Sequence, residues 1–179
     1  NKLFAADASK IYDVTSAGVS SSVQTGLTSG YWQHTNFGNA GGNWLFMVNG
    51  LDKPRLYDGT TWEAVDGAST HAITGVATTN LVHVTQHKNR LWFIEKSKLK
   101  AWYLDTNAIA GTAHAFPLEG VFKRGGYLMA ATTWTIDGGQ GMDDYMVFVT
   151  NRGEFAVYAG TDVSSSTTWS LKGVWQIGE

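Results

Sequence analysis

Short apolar runs separated by polar turns follow one another along the whole chain. The runs are rich in Val, Thr, Trp, Tyr and Phe, and Gly, Ser, Thr and Asn residues interrupt them every few positions. No window keeps apolar residues at i, i+3, i+4 and i+7 for three turns, and the nearest candidate, Leu104–Ala115, is broken by Gly111. The pattern therefore predicts an all-β protein in which helix is a minor component at most.

A strand-pair unit recurs four times. Each copy has an aromatic-bearing strand, a polar turn, and a second strand that ends in an aromatic residue, often with Asp close behind. The pairs are Leu3–Ala6 with Ile11–Asp13, Trp44–Val48 with Arg55–Asp58, Arg90–Ile94 with Trp102–Asp105, and Tyr145–Val149 with Phe155–Tyr158. The spacing of the first-strand aromatics is close to the roughly 40–50 residues of a four-stranded propeller blade.

One hairpin cannot bury its apolar face alone, so neighbouring sheets must stack face to face. The repeat predicts a β-propeller-like stack of small antiparallel sheets, with a β-sandwich as the alternative that spacing alone does not separate. The predicted units are 1–30, 31–75, 80–115 and 120–179, within a single domain spanning 1–179. Because the chain begins at Asn1 without an initiator Met and already in a predicted strand, we expect it to be a fragment of a longer polypeptide.

Composition narrows the class of protein. The chain of 179 residues is 43% hydrophobic and 16% charged, which is typical of a globular domain rather than a disordered one. Its net charge of −2 provides no global attraction to nucleic acid or anionic lipid. The absence of cysteine excludes disulfides and thiolate zinc sites. No apolar run reaches membrane-spanning length, so we expect no membrane contact.

The stretch TIDGGQGMDDYMVFV at 135–149 has two interpretations. It contains a G-G-x-G-x-D pattern, as in calcium-binding β-solenoids, and Asp137, Asp143 and Asp144 offer the hard oxygens that Ca²⁺ prefers. Solenoid sites share each ion between successive repeats, however, and here the motif occurs once. We therefore expect a glycine-rich strand reversal with no metal or other cofactor, and Ca²⁺ binding by these aspartates stays open.

Two other stretches, YDGTTWEAV (57–65) and GTDVSSSTTWSL (160–171), are similar to the Asp-box hairpins of sialidases and other propellers. Both place Asp before Thr-Trp, which predicts Asx-type turns ahead of an anchoring indole. An Asp box is a folding feature, and sialidase chemistry would also need an arginine cluster and a Tyr nucleophile. The arginines at 55, 90, 124 and 152 are scattered through the units, so glycosidase activity is disfavoured.

No constellation of catalytic residues is apparent. The histidines at 34, 71, 83, 87 and 114 are interpreted as ordinary turn or surface residues, because His83 and His87 make no helical ligand pair in a strand. No G-x-S-x-G elbow occurs either. We predict a non-enzymatic protein with no catalytic, cofactor-binding or metal-binding residues.

Two surface features are left with alternatives. Lys96, Lys98 and Lys100 alternate, so on a strand they would lie along one face. That face would be either an outer strand protected against edge pairing or a basic stripe facing DNA or an acidic subunit. Trp32 and Trp62 stand in polar settings and are expected to be interior, with an interface or carbohydrate-binding role as the alternative.

Three stretches carry a resemblance to a known family. They are NWLFMVNGLDKPRLYDGTTW (43–62), HKNRLWFIEKSKLKAWYL (87–104) and the long stretch 116–175, which contains WTIDGGQGMDDYMVFV and EFAVYAGTD. They resemble β-propeller-like segments of tail or head–tail connector proteins of tailed bacteriophages and prophages. The resemblance covers most of the chain, is most specific over 116–171, and implies a virion component that works in assembly or sealing. It supplies no catalytic residues.

The leading functional hypothesis is a non-enzymatic virion structural protein, assembled in the bacterial host cytoplasm. It would act by contacts with other virion or tail subunits, including copies of itself in a ring. The alternative is a propeller binding module that recognises a host glycan or receptor through loop aromatics, and an enzyme is the weakest class. A flat, subunit-contacting apolar rim would favour the first hypothesis, whereas exposed tryptophans around a concave patch would favour the second.

Overall fold

The structure is a computed structural model that describes residues 2–137 and 142–177, without the side chains of Ile136, Asp137, Met142 and Asp143. The described residues form strands and turns, with one 3-10 turn at Thr78–Asn80 and no α-helix. The prediction of an all-β protein is therefore confirmed.

Four antiparallel sheets follow one another through the described part of the chain. Sheet 1 contains β1 (Phe4–Ala6), β2 (Ile11–Asp13) and β3 (Ser21–Gln24). Sheet 2 contains β4 (Gln33–Asn39), β5 (Gly42–Val48), β6 (Arg55–Tyr57) and β7 (Trp62–Ala64). Sheet 3 contains β9 (Leu81–His87), β10 (Arg90–Glu95), β11 (Lys100–Tyr103) and β13 (His114–Pro117). Two short strands lie outside the four sheets: β8 (Ile73–Thr74) precedes sheet 3, and β12 (Gly111–Thr112) lies between β11 and β13 in the sequence. Sheet 4 contains β14 (Leu128–Asp137), β15 (Met142–Thr150), β16 (Glu154–Gly160) and β17 (Trp169–Gln176).

The strands of each sheet pair in the order in which they occur in the chain, and β8 pairs in parallel with β12 between sheets 2 and 3. All four predicted strand pairs are formed, as β1–β2, β5–β6, β10–β11 and β15–β16. In sheets 2, 3 and 4 the predicted pair is central, with one further strand on each side. The short polar turns predicted for the first and fourth pairs do connect their strands as hairpins.

The first strands of sheets 2, 3 and 4 lie at a shared edge. β9 contacts both β4 and β14, whereas β7, β13 and β17 lie at the opposite edges of their sheets. The three sheets therefore run in the same order from this shared edge outward.

Three apolar clusters join the sheets face to face. The cluster between sheets 1 and 2 is built around Ile11, that between sheets 2 and 3 around Phe46 and Phe93, and that between sheets 3 and 4 around Trp92 and Phe148. The stacking buries apolar surface from both partners of each contact, which a single hairpin cannot achieve.

Strand β10 shows why the apolar runs are continuous rather than alternating. Leu91 and Phe93 belong to the cluster shared with sheet 2, whereas Trp92 and Ile94 belong to the cluster shared with sheet 4. All four side chains are at most 1% exposed. A strand that is buried on both faces needs apolar residues at every position, and the sequence LWFI supplies them.

Sheet 1 has a free edge at β1 within the described residues. The carbonyl of Leu3 accepts a hydrogen bond from the amide of Val14, and the amide of Asp7 donates to the carbonyl of Lys10. Backbone groups of an antiparallel strand alternate in direction, so those of Phe4 and Ala6 point away from β2. No described strand pairs with that edge.

The predicted lysine stripe is not formed. β10 ends at Glu95 and β11 begins at Lys100, so Lys96 and Lys98 lie in the connecting turn, where Ser97 has a positive φ of 58°. Only Lys100 lies in a strand, with its ammonium 5.8 Å from the ring centroid of Trp102. The prediction that the three lysines share one strand face is wrong, because the chain reverses direction between the first and the last of them.

Candidate functional site

The outer face of sheet 4 is the candidate functional surface. Sheet 4 packs on sheet 3 through one face, and no other described sheet packs on its second face. We call this second face the terminal face. Alternation along the paired strands assigns to it Ala130, Thr132, Trp134, Tyr145, Val147, Val149, Phe155, Val157, Ala159, Ser170, Gly173 and Trp175.

Two tryptophans dominate the terminal face. Trp134 is 50% exposed and Trp175 is 48% exposed. The Trp175 ring stacks on that of Phe155, with centroids 5.6 Å apart and an interplanar angle of 20°. The indole of Trp175 also lies close over Gly173, where an added Cβ would come within 2.6 Å of Cη2. A glycine at this position therefore lets the indole lie flat along the sheet.

The centre of the terminal face is aliphatic. Val147 and Val157 stand directly opposite each other on neighbouring strands. They are only 8% and 4% exposed, although they belong to none of the three core clusters.

Exposed apolar side chains concentrate on sheet 4. Those in the sheet or at its margins are Tyr127, Met129, Trp134, Leu171, Val174, Trp175 and Ile177. Elsewhere in the described residues the large exposed apolar side chains are Leu3, Val19, Tyr31 and Leu51. Register places Trp134 and Trp175 on the terminal face, whereas Leu171 and Val174, opposite Tyr158 and Ala156, lie on the face that packs on sheet 3. Scattered apolar residues are normal on a protein surface, so the two tryptophans are what marks the terminal face as a candidate interaction surface.

Sequence reasoning did not single out this face, although a signal was present. Tyr145–Val149 is a continuous apolar run like Trp44–Val48 and Arg90–Ile94, which are strands covered on both sides. A continuous run predicts that both faces of the strand are covered. In sheet 4 only one of the two faces is covered by another described sheet.

A cleft of about 560 Å³ lies between sheets 1 and 2. Phe4, Trp44 and Tyr57 contribute aromatic rings to it, and Asn36 and Asn43 contribute side-chain amides. Within the described residues, neither of these two amides makes a hydrogen bond. The size and the mixture of rings and free amides fit a small-molecule or sugar site.

Trp32 and Trp62 are partly buried and pack on the cluster between sheets 1 and 2. Trp62 lies 4.9 Å from Phe4 and 5.0 Å from Tyr57, measured between ring centroids. Their interior interpretation fits these contacts better than the interface interpretation does.

Both predicted Asx turns are formed. Oδ1 of Asp58 accepts the amides of Thr60 and Thr61 at 2.7 and 2.6 Å, directly before β7. Oδ1 of Asp162 accepts the amide of Ser164 at 3.0 Å, in the turn that leads to Trp169. These hydrogen bonds hold the pKa of both carboxyls below the ordinary value.

Arg90 ties the loop between β16 and β17 to sheet 3, a role that sequence reasoning missed. Its guanidinium donates to Oδ1 of Asp162 at 3.2 Å and to the carbonyl of Leu104 at 3.1 Å. It also lies 5.6 Å from the ring centroid of Tyr103 and 3.8 Å from Oδ1 of Asp105. The guanidinium is thereby fully engaged in joining two structural units.

Glu154 is a second residue that sequence reasoning missed. It is 6% exposed, and its two carboxylate oxygens accept the amides of Lys123 and Arg124 at 3.1 and 2.8 Å. The carboxylate therefore holds the loop that enters sheet 4.

His83 and His87 join sheets 3 and 4, so their interpretation as surface residues is wrong. Nε2 of His83 donates to the carbonyl of Ala131 at 2.8 Å, and Nδ1 of His87 lies 3.0 Å from Oγ1 of Thr133. That hydroxyl donates its one proton to the carbonyl of Gln86, so Nδ1 of His87 is the donor in the contact.

Nε2 of His87 is then the unprotonated nitrogen, and it is buried with no hydrogen-bond partner. Burial, with a smaller contribution from Lys88, lowers the pKa of His87 to about 4. Burial also lowers the pKa of His83. Both rings are therefore neutral at pH 7, and their role is to link two sheets.

The other histidines lie apart from these two. Nδ1 of His71 lies 2.6 Å from Oε2 of Glu63, Nε2 of His114 lies 3.2 Å from Oδ1 of Asp105, and His34 is exposed on β4. Among the side chains that the structure describes, no three His, Asp or Glu residues form a group that could hold a metal ion.

The glycine-rich motif lies largely outside the described residues, which exclude 138–141 and the side chains of Asp137 and Asp143. β14 and β15 on either side of it pair in antiparallel register as far as Asp137 and Met142, so the predicted strand reversal is confirmed. Oδ1 of Asp144 accepts the hydroxyl of Thr135 at 2.6 Å, and Oδ2 lies 3.9 Å from the ammonium of Lys88. Asp144 thus already has protein partners.

Comparison of the chain with protein-family models, with curated proteins and with solved structures finds no match. No helix in the described part of the chain has the length and apolarity required to span a bilayer.

Proposed function

We propose that this chain is a non-enzymatic structural protein of a bacteriophage virion that works through contacts with neighbouring subunits in a tail or head–tail connector. The terminal face is the observation that carries the proposal. It is a sheet surface with two half-exposed tryptophans that no other described sheet covers, and it supplies the apolar contact surface that the structural hypothesis needs. The sequence resemblance to phage structural proteins supplies the virion context.

The size of the terminal face supports a protein partner. Strands about 4.8 Å apart and about eight residues long, at about 3.3 Å per residue, give a four-stranded face of about 500 Å². Trp134 and Trp175 are each about half exposed within this footprint, and exposed aromatic side chains on one surface commonly mark functional contacts. The aromatic residues Trp, Tyr and Phe, which this face presents, are enriched at the centres of protein–protein interfaces.

A β-propeller-like arrangement fits this role. Three successive four-stranded sheets run outward from a shared inner edge, as the blades of a propeller do. Among the described residues, sheet 1 has three strands where the other sheets have four, and no described sheet covers the terminal face. The open terminal face supports completion of the stack by a neighbouring subunit.

The test is assembly of virions that carry Trp134→Lys and Trp175→Lys together in this chain. Charged side chains on the contact surface should lower the yield of assembled particles at least about tenfold, because each removes an aromatic contact and buries a charge. Negative-stain counting and infectivity measure the yield, and Val19→Lys with Tyr31→Lys provides the matched control. Normal particles that contain the folded double variant would contradict the proposal.

DNA contact through Lys96, Lys98 and Lys100 is part of the same proposal. Lys96 and Lys98 are exposed in the turn between β10 and β11, where a phosphate backbone could reach them, although the ammonium of Lys96 also donates to the carbonyl of Gly50 at 3.5 Å. Replacing all three lysines by Glu should reduce DNA retention in particles and leave the yield of empty assemblies unchanged. Unchanged DNA retention would show that these lysines do not contact DNA and are simply solvent-exposed.

The cleft between sheets 1 and 2 supports a second candidate function, recognition of a host glycan. The rings of Trp44 and Tyr57 and the free amides of Asn36 and Asn43 are suitable for stacking on a sugar and for hydrogen bonding to its hydroxyls. Glycan-array binding by the wild-type chain that Asn36→Ala with Asn43→Ala abolishes would support this function. Trp134→Lys with Trp175→Lys should leave such binding intact.

A further inference from the structure

We infer that two copies of this chain pack their terminal faces together about a two-fold axis, as two sheets of a sandwich do. The inference rests on the proposed function, since it names the partner of the same surface. The first argument is chemical. The paired, described side chains of the terminal face are aromatic, aliphatic or hydroxyl-bearing, so a second copy meets no like-charge repulsion among them; Lys172 lies outside this set, in the β17 bulge beside Gly173.

The second argument is continuity with the contacts already present. Sheets 1 to 4 stack in succession, and each contact is an apolar sheet face on an apolar sheet face. The terminal face is built in the same way, with Val147 and Val157 at its centre and aromatic side chains around them. Aligned sheets pack about 10 Å apart with interdigitated side chains, and a second terminal face is the same kind of surface.

The third argument excludes a head-to-tail arrangement. In such a ring the terminal face would cover the free face of sheet 1 in the next copy. Register places Ala5, Tyr12 and Ser22 together on that face, opposite the side that packs on sheet 2. The hydroxyl of Tyr12 donates a hydrogen bond to Oδ2 of Asp7 at 2.8 Å. The strands β1, β2 and β3 are only three or four residues long. This short, polar face does not match the terminal face in area or chemistry.

The area is sufficient for a specific dimer. A face of about 500 Å², extended at its margin by the exposed side chains of Tyr127, Met129 and Ile177, approaches the roughly 600–1,000 Å² per partner of a standard interface. The stacked pair of Phe155 and Trp175 supplies an aromatic anchor in each copy.

The experiment uses the absence of cysteine from the chain, which allows one thiol to be placed at will. Thr132 is exposed on β14, the first strand of the terminal face, directly opposite Val147, whereas Ser22 is exposed on the free face of sheet 1. Single variants Thr132→Cys and Ser22→Cys are treated with a short bis-maleimide, alone and mixed. Sedimentation equilibrium of the unmodified chain runs in parallel with the variant Trp134→Lys/Trp175→Lys and the control Val19→Lys/Tyr31→Lys.

We expect a concentration-dependent dimer, cross-linking of Thr132→Cys with itself, and none of Ser22→Cys with itself. The double tryptophan variant should raise the dimer dissociation constant at least about 100-fold, because each copy loses two aromatic anchors, and the control should leave it unchanged. A monomer at all concentrations would overturn the inference, and so would cross-links that form only between Thr132→Cys and Ser22→Cys. If the chain is monomeric but virion assembly still requires Trp134 and Trp175, only the two-fold dimer is overturned, and the proposed function stands. A dimer that is dispensable for virions overturns the proposed function instead.

Discussion

Trp92 is the residue whose replacement tests the stacking of sheets 3 and 4 most directly. It is 1% exposed, and its ring lies 5.1 to 5.9 Å from the rings of Tyr103, Phe116, Phe148 and Trp169. Truncating a buried Trp to Ala costs about 3–5 kcal/mol of unfolding free energy through lost transfer and a residual cavity. Several aromatic contacts are lost together, so we expect Trp92→Ala to fall at the upper end of that range.

Trp92→Phe separates packing from hydrogen bonding. Nε1 of Trp92 is buried and has no hydrogen-bond partner within the described residues, so the replacement removes an unsatisfied donor. We therefore expect a loss of only about 1–2 kcal/mol, which reflects the smaller ring. Because a domain has about 5–15 kcal/mol of net stability, the difference between the two variants is well within measurement.

The assay is equilibrium urea unfolding followed by far-ultraviolet circular dichroism, with Tyr31→Ala as the control. Tyr31 is 91% exposed, so its loss should change the unfolding free energy by about 0.5 kcal/mol at most. Hydrogen exchange shows which sheet each variant loosens. Trp92→Ala should increase amide exchange in β15 of sheet 4. Phe93→Ala removes a contact with Phe46 and should increase amide exchange in β5 of sheet 2. A loss below about 1 kcal/mol for Trp92→Ala, or the same exchange pattern for both Ala variants, would refute the stacking described here.

Three further predictions concern links between distant segments. The fold holds the pKa of His87 at about 4 against about 6.5 in the unfolded chain, so its contribution is complete above pH 6.5 and is lost as pH falls towards 4. Because the pKa of His83 is lowered too, both proteins should lose stability from pH 7 to pH 4.5. In urea unfolding the fall should be about 2 kcal/mol larger for the wild-type chain than for His87→Gln, and equal falls would contradict the neutral His87 ring. Arg90→Met should lower the unfolding free energy by about 1–3 kcal/mol and increase hydrogen exchange at 161–168, whereas unchanged exchange would show that the guanidinium does not hold the loop. The melting temperature should be the same in chelator and in added Ca²⁺, because the carboxylate of Asp144 already accepts a hydrogen bond from Thr135. A higher melting temperature in Ca²⁺ that Asp144→Asn abolishes would establish the metal site instead.

Local features were predictable because they depend on neighbours in the sequence. The four strand pairs follow from apolar runs and polar turns, and the Asx turns at Asp58 and Asp162 follow from a carboxylate two or three residues before the amides that it accepts. The reversal after Trp134–Ile136 follows from the glycines that separate two apolar runs. The lysine stripe failed for a related reason, since no Gly or Pro marks the turn at Lys96–Lys98, where Ser97 adopts positive φ instead.

The links between units were not predictable from local pattern. His87 and Thr133 are brought together because β9 and β14 share an edge, and Arg90 reaches Asp162 because sheet 4 packs on sheet 3. Burial of His87 is likewise a property of that contact, which is why the local pattern predicts a surface position for this polar residue in a strand. Such contacts depend on which sheet faces which, and no local periodicity encodes that choice.

The sequence by itself thus determined an all-β chain of repeated strand pairs and the aromatic positions that fill its core, because strand alternation and turn chemistry act over a few residues. Only the tertiary structure decided which apolar runs are covered on both faces. Arg90–Ile94 and Tyr145–Val149 have the same apolar pattern, yet sheet 3 lies between two neighbours and sheet 4 has one. The difference lies in the order of stacking, and it leaves Trp134 and Trp175 on an open face, where a partner can bind.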